Sequence, residues 1–275
     1  MTLCAAGIHK DKIILVSDCK LSFGGGSFSA DRMAFKLRTV SHDDWLVMFS
    51  GENSALVPLL EAIAEAGKKL KNNTLRNASR LWSKAYRLER KHIIETEVLA
   101  RHDVQSYGEY LALKTSDANF FEVLSKEIEK VEEGWNLLFC GFDGHRAPHL
   151  FIVAECGKIQ YCDIEGFAVI GSGAWPAIVS LTSLQYSDRL SYGEAMYSLL
   201  AAKFSAETAA EGVGEDTVFG ILSTDKEVSP IVLKDQTICD ARKRWESMPR
   251  FPQDIVKQLS DEAVAFEDAL KQKTA

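Results

Sequence analysis

The order in which strand-like and helix-like segments follow one another is the feature that most limits the fold of this chain. Residues 3–8 (LCAAGI) and 12–17 (KIILVS) are short apolar segments joined by a turn at 9–11, which predicts two paired strands. Strand-like segments at 34–40 and 45–50 follow, separated by a polar SHDD turn. The start of the chain therefore predicts an antiparallel meander.

The next part of the chain has helical spacing instead. Apolar residues recur every three or four positions from 54 to 71, and Ser54 is placed to cap this first helix. A second helix is predicted at 75–100. A third is predicted at 120–131, where FFEVLSKEIEKV puts its large apolar side chains on one stripe.

The second half repeats the alternation. Strands are predicted at 135–140, 148–154, 158–162, 217–223 and 231–233. Between them lie helices predicted at 174–186 and 191–210, the latter opened by the capping box of Ser191 and Glu194. The order of strands, helices, strands, helices and strands predicts an α+β fold, a four-layer αββα sandwich of two antiparallel sheets between helical layers.

The chain is predicted to form a single domain over residues 1–240, with an enlarged helical segment at about 100–133. Its length of 275 residues permits one large domain or two small ones. After Asp240, a charged and Pro-interrupted linker (RKRWESMPRFP) and an amphipathic helix are predicted over 241–275.

Composition argues against several function classes. The net charge is −7, whereas nucleic acids and anionic membranes attract clustered Lys and Arg. No apolar run approaches the roughly 18 residues of a spanning helix, and the N-terminus lacks the pattern of a signal peptide. Neither nucleic acid nor a membrane is therefore expected as the main partner.

The cysteines and histidines do not predict a metal site. No Cys-x-x-Cys pair occurs, and His145 and His149 flank Pro148, which interrupts a helix that could present both to one metal. Gly24–Gly26 lacks the Gly-Lys-Ser/Thr of a phosphate loop. We expect no cofactor, and free thiols in a reducing cytoplasm.

Five motifs occur in a familiar order. Thr2 opens the first predicted strand, and Asp18 ends the second, sixteen positions later. Lys36 follows the Gly-rich hairpin, with apolar residues at +1 and +4. VMFSG supplies Gly51, and AVIGSGAWPAI supplies Ser172 after the strand NLLFCGFD. Over roughly residues 2–55 and 134–233, this sequence resembles proteasome β-subunits and bacterial proteasome-like peptidases, which are N-terminal nucleophile hydrolases.

The resemblance implies a function and a set of site residues. Removal of Met1 would expose Thr2 as the nucleophile of a threonine peptidase. Asp18 and Lys36 would form a catalytic pair, the Gly51 N–H would stabilise the oxyanion, and Ser172 would bind the terminal amine. The resemblance also implies homo-oligomeric rings, polypeptide substrates and an ATP-dependent unfoldase as partner.

The chemistry explains why these residue types occur together. A threonine hydroxyl is a weak nucleophile and needs an adjacent base. At a mature N-terminus this base is the α-amine, whose pKa is ordinarily about 7.7–8.0. A Lys36 ammonium would lower that pKa by like-charge repulsion, and Asp18 would hold Lys36 charged and oriented.

Several alternatives remain open from the sequence. Arg32 is a second candidate for the catalytic cation, and Ser172 is also expected to be a helix N-cap. In the resembled families an Asp and a Ser follow the last long helix, but Ala210 and Val213 occupy those positions here. Candidate substitutes are Glu211, Glu215 and Asp216.

Two other functions compete with the peptidase. One is a catalytically inactive proteasome-like shell or assembly protein, and the other is a small-amide hydrolase on the same fold. The resemblance further implies that two helical faces pack between stacked rings, although each stripe could equally be core within one chain. These faces are Leu56, Leu59, Leu60 and Ile63, and Ile178, Leu181 and Leu184.

Overall fold

The computed structural model describes residues 2–23, 28–30, 36–41, 44–51, 53–132, 135–224 and 235–248. Its strands are β1 (Cys4–His9), β2 (Lys12–Asp18), β3 (Leu21–Phe23), β4 (Phe28–Ala30), β5 (Leu37–Ser41), β6 (Trp45–Ser50), β7 (Asn136–Phe142), β8 (Pro148–Ala154), β9 (Lys158–Tyr161), β10 (Phe167–Ile170) and β11 (Thr217–Ser223). Its α-helices are α1 (Asn53–Gly67), α2 (Leu75–Ile93), α3 (Tyr107–Ser116), α4 (Ala118–Glu132), α5 (Ala174–Ser183), α6 (Tyr192–Ala209) and α7 (Asp235–Glu246).

These strands form two larger antiparallel sheets and one short hairpin. The first sheet has the order β10-β1-β2-β11, the second has the order β5-β6-β7-β8-β9, and β3 pairs with β4. Strand β1 is an inner strand, because Cys4 pairs with Ile170 on one side and with Ser17 on the other. The start of β1 therefore lies beside the end of β2.

Alternation along the strands separates the layers. On and just before β1, Leu3 and Ala5 pack with residues of α5 and α6, whereas Cys4 and Ala6 pack with residues of the second sheet. The outer face of the second sheet packs with α1 and α2. The structure is thus the predicted αββα sandwich, with one apolar core between the sheets and one beneath each helical layer.

The helical layer over the second sheet is built on aromatic stacking. Trp82 of α2 stacks on Phe139 with ring centroids 4.6 Å apart, and Phe139 stacks on Phe151 at 4.9 Å. The α1 stripe of Leu56, Leu59, Leu60 and Ile63 is buried in this same core. This stripe is therefore intramolecular core rather than a free surface between rings.

The helical middle contains a separate helix, α3, whose bounds the sequence pattern does not predict. Helix α2 continues through a π-helical turn (Ile94–Val98) and a 3-10 turn (Leu99–His102), so the second helix extends to the predicted end. Helix α3 then precedes α4 and packs on it in a small separate core. The side chain of Ser106 caps α3 by accepting from the Glu109 N–H.

Several boundaries differ from the predictions. Helix α1 begins at Asn53, so Ser54 is not its N-cap. Residues 241–246, predicted as linker, form the second half of α7, and Trp245 packs 5.8 Å from the Phe204 ring of α6. Residues 24–27 and 231–234, Arg32, and the predicted tail helix lie outside the described residues. Among the helices described, none is long and apolar enough to cross a membrane.

Candidate active site

Strand ends bring three of the predicted residues together. Thr2 lies two residues before β1, Asp18 ends β2, and Lys36 immediately precedes β5. All three are buried, with exposed fractions of 6% for Thr2, 0% for Asp18 and 3% for Lys36. A solvated surface carboxylate and a solvated lysine are thereby excluded for Asp18 and Lys36.

Lys36 connects the other two side chains. Its Nζ donates a short hydrogen bond to Thr2 Oγ1, and it donates to Asp18 Oδ1 at 2.7 Å. A buried ion pair of this kind requires good geometry to offset its desolvation. The ammonium group therefore lies directly beside the Thr2 hydroxyl.

The Asp18 carboxylate accepts from four donors. Oδ1 accepts from Lys36 and from the Leu3 N–H at 2.7 Å, and Oδ2 accepts from the N–H groups of Lys20 (3.1 Å) and Gly214 (3.2 Å). A buried carboxylate is stable only when it is paired and hydrogen-bonded in this way. The network fixes both the position of Asp18 and the direction in which it holds Lys36.

The Gly-Ser-Gly segment contacts the backbone of Thr2. The Thr2 N–H donates to Ser172 Oγ at 3.1 Å, and the Gly173 N–H donates to the Thr2 carbonyl at 3.2 Å. Gly171 has a φ of +98°, and a Cβ added there would lie 2.2 Å from the same carbonyl oxygen. The N-cap of α5 is Gly173, and no side chain caps it, so the N-cap interpretation of Ser172 is wrong.

The end of β6 lies against the start of β1. Cys4 Sγ donates to the Phe49 carbonyl at 3.5 Å, two residues before Gly51. Gly51 has a φ of +134°, a conformation that favours glycine. Its role as oxyanion donor stays a prediction.

Cys4 does not compete with Thr2 as nucleophile. It is fully buried, and burial raises the pKa of its thiol to about 12. A thiol with this pKa is protonated at cellular pH, whereas the nucleophilic form is the thiolate. In the described part of the chain, no group of three or more His, Cys, Asp and Glu side chains could hold a metal ion.

The segment after α6 replaces the missing Asp and Ser in an unexpected way. Val213 is buried and packs against Gly173, so no hydroxyl or carboxylate occurs at this position. The next residue, Gly214, supplies its backbone N–H to Asp18. Glu211 and Glu215 accept hydrogen bonds through their backbone carbonyls, from Lys20 and Lys203 respectively.

Sequence reasoning missed Lys203, which lies in this region and is fully buried. Its Nζ donates to the carbonyls of Gly214 and Glu215, both at 2.7 Å. The available signal was a single charge inside the apolar run SLLAAKFSA of α6. A lysine inside such a run is buried only when partners satisfy it.

Comparison with known proteins gives structural matches alone. No protein-family model matches the sequence, and no curated protein matches it. A mutant of Anbu from Hyphomicrobium sp. strain MC1 matches with a TM-score of 0.61 and 16% identity, over 96% of this chain and 99% of that one. Anbu, an ancestral β-subunit, from Yersinia bercovieri matches at 0.59 and 14%, over 91% and 99%.

A third match is eukaryotic HslV from Trypanosoma brucei, with a TM-score of 0.54 and 17% identity, over 81% of this chain and 99% of that one. At these identities the likeness establishes the fold. Each matched chain is covered almost completely, so the shared fold includes both sheets and both helical layers.

Proposed function

We propose that this chain, whose fold is that of the proteasome-like N-terminal nucleophile hydrolases, is a threonine peptidase that cleaves amide bonds with Thr2. One observation carries the proposal: the buried Lys36 Nζ donates both to Thr2 Oγ1 and to Asp18 Oδ1. A lysine that only stabilises the fold would be satisfied by its pairing with Asp18, and the contact with the Thr2 hydroxyl would not be required. A nucleophile does need a nearby cation that tunes its base.

The proposed mechanism uses the terminal amine of mature Thr2. Cleavage of the Met1–Thr2 bond frees this amine 3.1 Å from Ser172 Oγ, as the Thr2 nitrogen lies now. The amine takes the proton of Oγ1, and Oγ1 attacks the substrate carbonyl carbon. The oxyanion is stabilised by the Gly51 N–H, and such a donor contributes about 2.7–4 kcal/mol to lowering the barrier.

The reaction then proceeds through release of the amine product and hydrolysis of the ester. Collapse of the tetrahedral intermediate breaks the amide C–N bond, and the protonated Thr2 amine gives its proton to the leaving nitrogen. Water, deprotonated by the same amine, attacks the resulting ester, which releases the acid and restores the Oγ1 hydroxyl. Asp18 holds Lys36 beside Thr2 Oγ1, and a positive charge there favours the neutral amine.

The proposal includes assembly and location. Polypeptide substrates, a homo-oligomeric ring and an ATP-dependent unfoldase are implied by the sequence resemblance. A cytoplasmic location is inferred from the unpaired cysteine pattern. The outer face of α5 supports a protein interface, because Trp175 is 75% exposed and Val179 is 48% exposed. Large apolar side chains grouped on one surface mark interaction sites.

The inactive shell protein is the second candidate, and one observation favours it. Apolar Ala210 and Val213 stand where the resembled families have a carboxylate and a hydroxyl near the nucleophile. In this case the αββα domain would assemble without cleaving substrate. The same experiment separates the two candidates.

The test is intact-protein mass spectrometry before and after treatment with an epoxyketone or β-lactone probe. The peptidase proposal predicts a mass without Met1 and one covalent adduct on Thr2. Thr2→Ala should fold and take up no probe, and the control Thr115→Ala, an exposed residue of α3, should react like the wild type. Retention of Met1, or its loss with no adduct, would support the shell protein. Labelling of Thr2→Ala would overturn the nucleophile assignment.

A further inference from the structure

A buried charge cluster connects the C-terminal helix to the candidate site. Lys203 and Glu207 lie one turn apart on α6, and Arg242 lies on α7. Lys203 Nζ and both Arg242 Nη atoms donate to the Glu207 carboxylate. The Glu207 side chain, which is 8% exposed, is thus held between two basic side chains.

The cluster also donates hydrogen bonds to the backbone that follows α6. Lys203 donates to the carbonyls of Gly214 and Glu215, and Arg242 Nη2 donates to the Glu215 carbonyl at 2.9 Å. An ammonium group has three donors, and Lys203 has three acceptors in Glu207, Gly214 and Glu215. The match leaves no donor of a protonated Lys203 without a partner.

The held segment acts directly on Asp18. Gly214 accepts from Lys203 through its carbonyl and donates its N–H to Asp18 Oδ2 at 3.2 Å. Asp18 Oδ1 in turn holds Lys36, which contacts Thr2. Hydrogen bonds and one residue of backbone therefore connect Lys203 to the Thr2 hydroxyl.

We propose that Lys203 is a positioning residue of the active site, and that Glu207 and Arg242 orient it. Ala210 and Val213 provide no polar side chain near Asp18. The cluster instead holds the segment after α6 so that the Gly214 N–H contacts Asp18. The inference rests on the proposed function for its catalytic effect. Its structural effect, the placement of the Gly214 N–H, stands apart from catalysis.

Helix α7 contributes to the site through Arg242. Arg242 stacks over the Phe204 ring, with Cζ 4.5 Å from the centroid, so that α7 is fastened to α6 beside the cluster. A partner or ligand that displaces α7 would remove Arg242 from Glu207 and loosen the segment. Substitution at Arg242 should therefore reproduce part of the Lys203 effect.

The test compares Lys203→Met, Lys203→Arg and Arg242→Ala with Lys243→Met, an exposed neighbour on α7. We expect kcat for a fluorogenic peptide to fall about 100-fold in Lys203→Met with KM nearly unchanged, since a displacement of about 1 Å has such an effect. Lys203→Arg should recover most of the loss, and Arg242→Ala should lose about 10-fold, within the same range. Lys243→Met should match the wild type.

Hydrogen exchange gives a readout that does not require activity. The Gly214 amide should exchange at least about 10-fold faster in Lys203→Met and in Arg242→Ala, because its protection follows local stability. If the wild type is inactive and the Gly214 amide still exchanges faster in the variants, the positioning role is supported and the peptidase is rejected. Wild-type exchange at Gly214 and wild-type kcat in folded Arg242→Ala and Lys203→Met would overturn the inference. If Lys203→Met does not fold, Arg242→Ala decides between these outcomes.

Discussion

Gly171 and Thr2 are in such close contact that a single added carbon atom would displace one of them. A Cβ on Gly171 would lie 2.2 Å from the Thr2 carbonyl oxygen, and its φ of +98° disfavours any other residue. Gly171→Ala should therefore destabilise the fold by about 2 kcal/mol or more and abolish probe labelling. The control Gly193→Ala, with open space around it on α6, should unfold at equal or higher denaturant. Urea titration of both variants measures the difference, and equal stabilities would contradict the described contact.

Lys36 should be essential to turnover. Lys36→Met removes the cation beside Thr2 Oγ1 and should lower kcat by about 100-fold or more, in the range of acid–base contributions. The control is Lys84→Met, which replaces an exposed lysine of α2. Steady-state kinetics on a fluorogenic peptide measure both. A Lys36→Met enzyme with wild-type kcat would return Arg32 to consideration as the catalytic cation.

The Lys36–Asp18 pair should show strong coupling in stability. Asp18→Asn leaves a buried ammonium without its counter-charge, and breaking a buried pair from one side costs about 3–5 kcal/mol. The double variant Asp18→Asn/Lys36→Met should recover much of this cost, since it removes both charges. A double-mutant cycle in urea measures the coupling. Additive effects of the two substitutions would show that the pair does not interact.

Lys203 should make stability depend on pH in a defined direction. Burial, and then the charge of Arg242, lowers the pKa of Lys203 from 10.5 to about 7. Between these values the unfolded chain holds a proton that the folded chain has released, so the free energy of unfolding rises with pH. The wild type should gain stability over Lys203→Met from pH 7 to 9.5, and the difference should be constant below pH 6. A difference that falls as the pH rises would contradict this sign.

The assembly prediction now has a defined surface. Trp175→Glu, on the exposed face of α5, should reduce the oligomer to a smaller species in light scattering. Val123→Glu, at an apolar position on α4 that is 51% exposed, is the control and should leave the oligomer intact. Deletion of 249–275 tests the tail without removing the α7 residues that contact α6. A wild-type monomer of 30.5 kDa would contradict the ring.

Apolar runs bounded by turns were sufficient to predict most strands. Strands β6, β8 and β11 have the bounds predicted from sequence, and Ser191 and Glu194 form the predicted capping box. Helix α3 lies in the segment predicted as helical at about 100–133, but its own bounds were not predicted, because YGEYLALKTS has almost no apolar periodicity and buries only Tyr110. The sequence signal for this helix is the N-cap Ser106 with Glu109 three residues later, which an apolar stripe does not contain.

Some residues of the candidate site could also be predicted from the sequence, and others could not. Thr2, Asp18 and Lys36 were predicted together from the sequence resemblance. Pairing of β1 with β2 accounts for the closeness of Thr2 to Asp18 alone, because Lys36 precedes β5 of the second sheet. Their catalytic roles stay a prediction. The cluster of Lys203 and Arg242 could not be predicted, since α6 and α7 meet through tertiary packing and RKRWES reads as a charged linker. Likewise, nothing in Gly214 itself predicts a donor to Asp18.

The topology of the first sheet has a consequence for how the chain is made. Strands β1 and β2 are synthesised long before their partners, because Cys4 pairs with Ile170, and Asp18 at the end of β2 pairs with Thr217. Pairings over such separations close slowly, because the intervening chain must be ordered before they form. A growing chain therefore contains Thr2, Asp18 and Lys36 early, but it lacks Ser172 and Gly214 for most of translation. The contact of Thr2 with Ser172 and that of Asp18 with Gly214 form only after β10 and α6 have been synthesised, so the site is assembled late in translation.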